Sequence, residues 1–554
     1  MPLFQDQKQE DRLREFRKKE AEDLAEILSK KYGLPYLNLF GVSPQADALR
    51  VIEEVEAREA FVAPFKRIGN KLLVAVASPQ NEKTKEALAG LEKQGFHIET
   101  FMVSRDGLEH VWERYMEISR ADKTQAGVLD ISPEDLRQFM DKVKSLDDIS
   151  KITKATIDDP GIHTSRVLEV ILAGALSTGA SDIHIEPEEK QIRMRYRLDG
   201  VLIDITFFDL ETYKLLRSRI KLISGLKLNV KTAAQDGRFS IKIDKTDIEI
   251  RTSVLPGAYG ESIVLRVLNP KSILVPLEEL GIEPRLLEVI NAELKKPNGM
   301  ILNTGPTGSG KTTTLYAFIR KVYTTKVKVV TIEDPIEYHI EGITQTQTHS
   351  ESDYTFASGL RSVLRQDPDI ILVGEIRDSE TANTAINAAL TGHLVFSTLH
   401  TNNAAGTIPR LIDLGVDAKV LSAALNLFLA QRLVRKLCDA CKKEEEPTAE
   451  ERKLIEGIAI TIKRDNVPKL EKIYRAVGCT ACNNTGYRGR IGVFEGILMN
   501  DQIDAVAISH PNESEIWKAA EPQNLLSMAQ DGILKLLYGI TSLDELNRVI
   551  DLDE

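Results

Sequence analysis

Leu13, Phe16, Leu24 and Leu28 stand at near-helical spacing among many charges, which predicts an amphipathic helix over the first 30 residues. A solvated helix packed along one stripe and a docking helix for a partner both fit that pattern. Residues 35–115 then alternate apolar runs (FVAPFKRI, LLVAVA, HIETFMV) with helical segments such as EKTKEALAGLEKQ, the pattern of a small α/β domain. Residues 118–160 are polar and rich in Asp and Lys, and read as a linker with one or two helices. From Thr164 the periodicity strengthens. A helix (SRVLEVILAGALSTGA) precedes a strand pair (SDIHIEP and QIRMRYRLDGVLIDI), a second helix (TYKLLRSRIKLISGL) and further strands (RFSIKI, TDIEIRTSVLP, SIVLRVL). This predicts an α+β domain ending near Leu274–Leu280. Beyond Met300, strands and helices alternate as in a parallel sheet covered by helices.

Length and composition fit this division. At roughly 150 residues per domain, 554 residues allow three to four domains, each able to bury a core. The pattern divides them as 1–120, an N-terminal helix with an α/β domain; 121–160, a linker; 161–285, the α+β domain; and 286–554, the parallel α/β domain. Hydrophobic content of 42% and charged content of 28% are those of a folded globular protein. The 72 basic and 83 acidic residues leave a net charge of -11, with no basic excess to favour nucleic acid as a direct partner. The opening MPLFQDQKQEDRLREFRKKE is charged where a secretory signal needs an apolar core, so export is not expected. The longest apolar stretch, Val420 to Val434, is broken by Ser422, Asn426, Gln431 and Arg432 and is too short to span a bilayer. Four cysteines in two CxxC pairs suit a metal in a reducing compartment, and the expected location is the cytoplasm.

The chemistry concentrates in the C-terminal half. Gly305-Pro306-Thr307-Gly308-Ser309-Gly310-Lys311-Thr312 matches GxxxxGK[ST] in full, after the apolar strand MILNT and at the start of the helix TTTLYAFIRKVY. Glycines let the backbone curl so that N–H groups and a helix N-terminus face phosphate oxygens. Lys311 neutralises the β and γ phosphates, and the Thr312 hydroxyl suits Mg²⁺. With Thr313, these residues form the expected ATP-binding set. The strand KVVTI then runs into Glu333-Asp334-Pro335-Ile336-Glu337, either an acidic turn closed by Pro335 or carboxylates that orient water or hold Mg²⁺. A third strand, DIILV, delivers Glu375 at its carboxyl end, a Walker B arrangement with Glu where Asp is commoner. His393 and His400 bracket the strand LVFSTL and read either as structural or as sensors of the γ phosphate. Cys438, Cys441, Cys479 and Cys482 supply four thiolates for tetrahedral Zn²⁺, closed and structural, in a module of about 436–495; free paired thiols are the alternative.

On these residues the chain resembles the traffic ATPases of the secretion superfamily, those of type IV pilus assembly and of type II secretion. The matching stretches are SDIHIEP, RYRLDGVL, QDGRF, GPTGSGKTTTLYA, TIEDPIEY, LRQDPDIILVGEIRDSETA, TGHLVFSTLHTN, LAQRLVRKLC and GYRGRIGVFEG, in order over about residues 160–500. The resemblance implies a RecA-like P-loop core behind an arginine-bearing domain, with ATP, Mg²⁺ and Zn²⁺ as cofactors. It implies Glu337 as catalytic base, Glu375 as the Walker B glutamate and His393 and His400 as the His box. It also implies that Arg251 and Arg266 turn onto the γ phosphate, often across a subunit boundary. A homo-hexamer follows by the same resemblance, at the inner face of the cytoplasmic membrane. It works against an inner-membrane platform protein, with a membrane-associated cytoplasmic adaptor on the N-terminal domain. Two features depart from the pattern. Ala234 stands where Pro usually precedes QDGR, and there is no clear copy of the Arg-Leu-Gly repeats by which some relatives bind cyclic-di-GMP.

The leading expectation is a motor for pilus assembly, with type II secretion as the alternative. A retraction motor is disfavoured because such motors usually lack the long N-terminal region and the tetracysteine module. A DNA-translocating motor is disfavoured by the acidic balance. A scaffold with little turnover need not keep Lys311, Glu337, Glu375 and both arginines.

Overall fold

The computed structural model describes residues 19–42, 44–49, 51–112, 115, 128, 129, 139, 143, 145–157, 164–243, 246–269, 275–348, 354–509 and 511–552. Leu13, Phe16 and most of the expected linker lie outside them. Residues 19–32 are helical, but Leu24 is 57% exposed, and the buried positions are Ala25 and Ser29. Glu22 accepts hydrogen bonds from Tyr36 Oη and Ser104 Oγ. That anchor turns positions three and seven residues on toward the domain, so small side chains pack where Leu24 was expected. In the small domain, β1 (Val62–Ile68) and β2 (Lys71–Val76) form an antiparallel hairpin. The Asn81-capped helix Glu82–Lys93 then carries the chain to β3 (His97–Met102), parallel to β2.

The middle sheet has seven strands in the order β4-β8-β9-β10-β5-β6-β7. They are β4 (Val128–Leu129), β5 (Asp182–Pro187), β6 (Ile192–Leu198), β7 (Val201–Phe208), β8 (Gln235–Ile243), β9 (Thr246–Gly257) and β10 (Gly260–Leu268). Along β6, Ile192, Met194, Tyr196 and Leu198 are buried, while Arg193, Arg195 and Arg197 face outward. The buried face packs the helices Thr164–Thr178 and Leu210–Ile223. The stretch QIRMRYRLDGVLIDI, expected as one strand, is two. Asp199 (φ 47°) and Gly200 (φ 88°) form a two-residue turn between paired Leu198 and Val201. The helix Leu146–Ile157, within the expected linker, packs on the same core through the fully buried Ile149. Register places Arg238, Arg251 and Arg266 directly opposite one another on β8, β9 and β10, with Asp182 next on β5. The four side chains therefore share one face.

The large sheet runs β13-β12-β14-β15-β11-β16-β19. These are β11 (Gly299–Thr304), β12 (Val329–Glu333), β13 (Thr344–Gln347), β14 (Ile370–Val373), β15 (Leu394–Leu399), β16 (Leu425–Leu437) and β19 (Tyr487–Leu498); β17 (Lys443–Glu445) and β18 (Ile473–Arg475) form a separate ribbon. All pairs are parallel except β16 with β19. Every residue of β11, β12, β14 and β15 is buried, as strands covered by helices on both faces must be. Parallel alignment brings the carboxyl ends of β11, β12, β14 and β15 to one edge, where ligands bind in open α/β sheets.

Glu545 is fully buried and accepts from the backbone N–H and guanidinium of Arg435 on β16 and from Arg548. The Arg435 guanidinium lies 4.0 Å over the Tyr487 ring. Replacing Glu545 with Ala leaves that guanidinium and a backbone N–H without their acceptor. We expect a loss of about 3 kcal/mol of stability, read by urea denaturation monitored by circular dichroism.

Candidate active site

The chain leaves β11 through a loop that only glycine can form. Gly305 (φ 143°), Gly308 (φ 81°) and Gly310 (φ 91°) have positive φ. A Cβ at Gly305 would stand 2.6 Å from Gln431 O, and one at Gly310 would stand 2.8 Å from Gln431 Nε2. The helix Lys311–Val322 starts from Gly310 without a side-chain cap, so its first N–H groups face the loop. Ser309 Oγ is buried without a hydrogen-bond partner among the described residues, a donor that a phosphate oxygen would satisfy. Lys311 Nζ donates to Gly305 O at 2.6 Å and Pro306 O at 3.0 Å. Burial pulls its ammonium down to about 8; Arg432 adds to this and Glu375 opposes it. Thr312 is exposed in the first turn and Thr313 is half-buried. Pro306 and Thr307 form the exposed outer rim of the loop.

The acidic residues divide by role. Glu333, the last residue of β12, is buried and accepts from Tyr316 Oη, from Thr331 Oγ1 at 2.6 Å and from Gln345 Nε2 at 3.1 Å. It braces β12 against the phosphate-loop helix through Tyr316. Glu375, beyond β14, is paired with Arg377 and lies 3.3 Å from His400 Nε2. Arg377 also approaches Asp334 at 3.9 Å. The sequence reading gave Arg377 no role, although it stands two residues after Glu375. His400 is thus at the site edge. His393 is at the other end of β15, where its Nδ1 lies 2.9 Å from Ala388 O and its carbonyl accepts from Gly299 N. The structure does not bring His393 to the phosphate loop.

Glu337 is held from the middle domain. Arg251 Nη1 donates to Glu337 Oε2 at 2.9 Å, Nη2 donates to Ile336 O at 2.5 Å, and Nε donates to Glu249 Oε1 at 3.2 Å. Arg266, beside Arg251 in register, instead donates to Asp182 Oδ1 at 3.0 Å and is 56% exposed. The two arginines therefore share a face but do not share a target.

The four cysteines converge on one point. Their sulfurs all lie within 4.8 Å of one another, with Cys438 to Cys479 at 3.9 Å, Cys441 to Cys482 at 3.8 Å and Cys479 to Cys482 at 3.8 Å. A tetrahedron with zinc–sulfur bonds of about 2.3 Å has edges of roughly 3.8 Å, so the donor set fits. Burial opposes ionisation of Cys482, but the N–H groups of Cys479 and Gly486, together with the neighbouring Cys441 and Cys479 thiols, bring it down to about 7. Just beyond this knuckle, Gly489 N donates to Asp199 Oδ2 at 2.9 Å, joining the module to the β6–β7 turn across a cleft of about 420 Å³.

Comparison with known proteins identifies the family of the chain. A family model described as type II/IV secretion system protein matches residues 159–548, and an MshEN domain model matches residues 32–122. The chain is 36% identical over 528 residues to the type IV pilus assembly ATPase PilB of Myxococcus xanthus, covering 95% of this chain and 91% of that one. It is 38% identical over 533 residues to PilB of Pseudomonas aeruginosa, covering 95% and 90%. Against the type II secretion system protein E of Aeromonas hydrophila it is 40% identical over 495 residues, covering 89% and 95%. The X-ray structure of the Legionella pneumophila ATPase DotB aligns with a TM-score of 0.51 at 23% identity, over 71% of this chain and 97% of that one, which supports the fold. The chain therefore belongs to the type II/IV secretion system ATPase family.

Proposed function

We propose that this chain is the ATPase motor of type IV pilus assembly. In this reading it works as a cytoplasmic homo-hexamer at the inner face of the membrane, against an inner-membrane platform protein and with an adaptor on the N-terminal domain. The observation that carries the choice is coverage: similarity to pilus assembly ATPases extends over 95% of the chain, against 69–89% for the type II secretion ATPases. The higher identity to type II secretion ATPases, 41–43% over 69–75% of the chain, favours the second reading, a secretion motor with the same chemistry. No helix among the described residues is long and apolar enough to cross a membrane.

Each role follows from position. The loop N–H groups, Ser309 and Lys311 hold the phosphates, and Thr312 is placed to hold Mg²⁺. When bound, Mg²⁺ offsets phosphate charge. Glu375, oriented by Arg377 and His400, faces the same edge. Glu337 takes the proton of the attacking water, and Arg251 holds that carboxylate in the conformation described above. Departure of Arg251 from Glu337 frees the base and releases a guanidinium for the transferred phosphoryl group. Arg266, half-exposed beside it, is available to a neighbouring subunit. Hydrolysis is thereby tied to movement of the middle domain against the motor. The four thiolates hold Zn²⁺ as a closed structural site.

Four outcomes test these assignments. Glu375→Gln should lower steady-state phosphate release about a hundredfold while nucleotide still binds. In the source cell, deletion complemented by Lys311→Ala should leave the surface without pili by electron microscopy; intact pili with lost protein secretion would select the second reading. Elemental analysis of protein purified without chelator should give roughly one zinc per chain, and finding none would refute the metal assignment. Lys311 supplies the pH test. Its free ammonium titrates about 8, and bound phosphates raise that value, so ADP binding takes up a proton where the free group has lost it. Calorimetry at about pH 8.5 in two buffers of different ionisation enthalpy should show uptake of most of one proton, and ADP affinity should fall as pH rises past 8.

A further inference from the structure

Arg432 follows the buried Gln431 on β16, beside the phosphate loop. Strand alternation sends the two side chains to opposite faces. Gln431 turns under the loop, where its Oε1 accepts from Asn303 Nδ2 and Thr314 Oγ1, both at 2.8 Å. Arg432 turns toward the segment that follows β15. Its Nη1 donates to Gln431 O at 3.1 Å, and its Nη2 donates to Asn402 O at 2.7 Å. The same Nη1 lies 3.1 Å from where a Cβ on Gly305 would stand, so the guanidinium packs against the first glycine of the phosphate loop.

Asn402 belongs to a segment with chemistry at one end and an anchor at the other. At its start, His400 approaches Glu375. Past it, Asn403 Nδ2 donates to Glu513 Oε2 at 2.8 Å, and Ala404 N donates to the buried Glu495. Carboxylates fix the far side, and the guanidinium fixes the side facing the phosphate loop. A planar fork can span two carbonyls in fixed geometry, whereas an ammonium on a flexible stem is a point charge that cannot reproduce the pair.

We propose that Arg432 is a positioning residue for ATP hydrolysis, which ties the His400 segment to the phosphate loop and so sets His400 and Glu375 against the bound nucleotide. It acts through that segment. The proposal rests on the ATPase reading of the site and adds a link from β16 that closes the contacts running from Lys311 around to Glu375.

The test uses the full chain as wild type, Arg432→Lys, Arg432→Ala and Glu375→Gln. It measures ATP turnover, MgADP binding, and amide hydrogen exchange over residues 400–404. Arg432→Lys keeps the charge and loses the fork. It should lower kcat about tenfold or more and leave the MgADP Kd within about threefold of wild type. Exchange over residues 400–404 should rise. Arg432→Ala should match it if the variant folds. Wild-type turnover in Arg432→Lys would overturn the proposal, because charge alone would then suffice. Unmoved exchange, or MgADP binding lost in proportion to turnover, would overturn it as well. Glu375→Gln turning over as wild type is a separate result that would overturn the site reading itself.

Discussion

The backbone of β16 lies so close behind the phosphate loop that a Cβ at Gly305 would meet Gln431 O at 2.6 Å, and the Gln431 side chain crowds Gly310 in the same way, 2.8 Å from where its Cβ would stand. That approach follows from the parallel pairing of β11 with β16, which places Thr304 opposite Ala430 and the loop opposite Gln431. Burial of Gln431, Asn303 and Thr314 makes the support costly to break, since each loses a hydrogen bond that water cannot replace. The loop is thus curved by close packing from behind as much as by its own glycines. The placement of Lys311, and of the helix N-terminus it begins, depends on that wall.

The contact between Arg251 and Glu337 works on a different energy scale. Both side chains are partly exposed, at 22% and 30%, so the ion pair contributes on the order of 1 kcal/mol after solvent screening, and the bond to Ile336 O adds a similar amount. Micromolar nucleotide binding is worth about 8 kcal/mol. A contact of that size is small against such a binding energy, so it can be exchanged for other contacts at little cost. A fully buried pair in its place would have locked the domain.

Sequence patterns showed the site where chemistry is local. GxxxxGK[ST], the carboxyl end of DIILV and the paired CxxC units each carry their geometry within a few residues, so phosphate loop, Glu375 and thiolate cluster are legible without a structure. Legibility fails where geometry is non-local. The two histidines look equivalent around LVFSTL, yet a strand rising about 3.3 Å per residue separates them by roughly 20 Å, so both cannot reach one phosphate. Glu333 and Glu337 sit in one acidic run, but the first ends a buried strand and the second lies past it, half-exposed. Arg377, Gln431 and Arg432 lie inside matched stretches that carry no spacing rule for them. Their partners are Asp334, Asn303, Thr314 and Asn402, which the fold alone brings near. The Asp199-Gly200 turn was readable from its two residues, and the long apolar alternation around it hid it.

That turn also gives the thiolate cluster a reach beyond its own knuckles. Asp199 can accept from Gly489 only while the segment after Cys482 holds Gly489 N toward the middle sheet, and Gly486, at φ 77°, shapes that segment between the two. Arg251 holds the same sheet to the motor at Glu337, on a different strand. Two separated contacts constrain rotation as well as distance, which one contact cannot do. Among the described residues the middle sheet thus meets the large-sheet domain at two separated points at least, Gly489 N to Asp199 Oδ2 and Arg251 Nη1 to Glu337 Oε2, and losing either removes one of the constraints on its rotation.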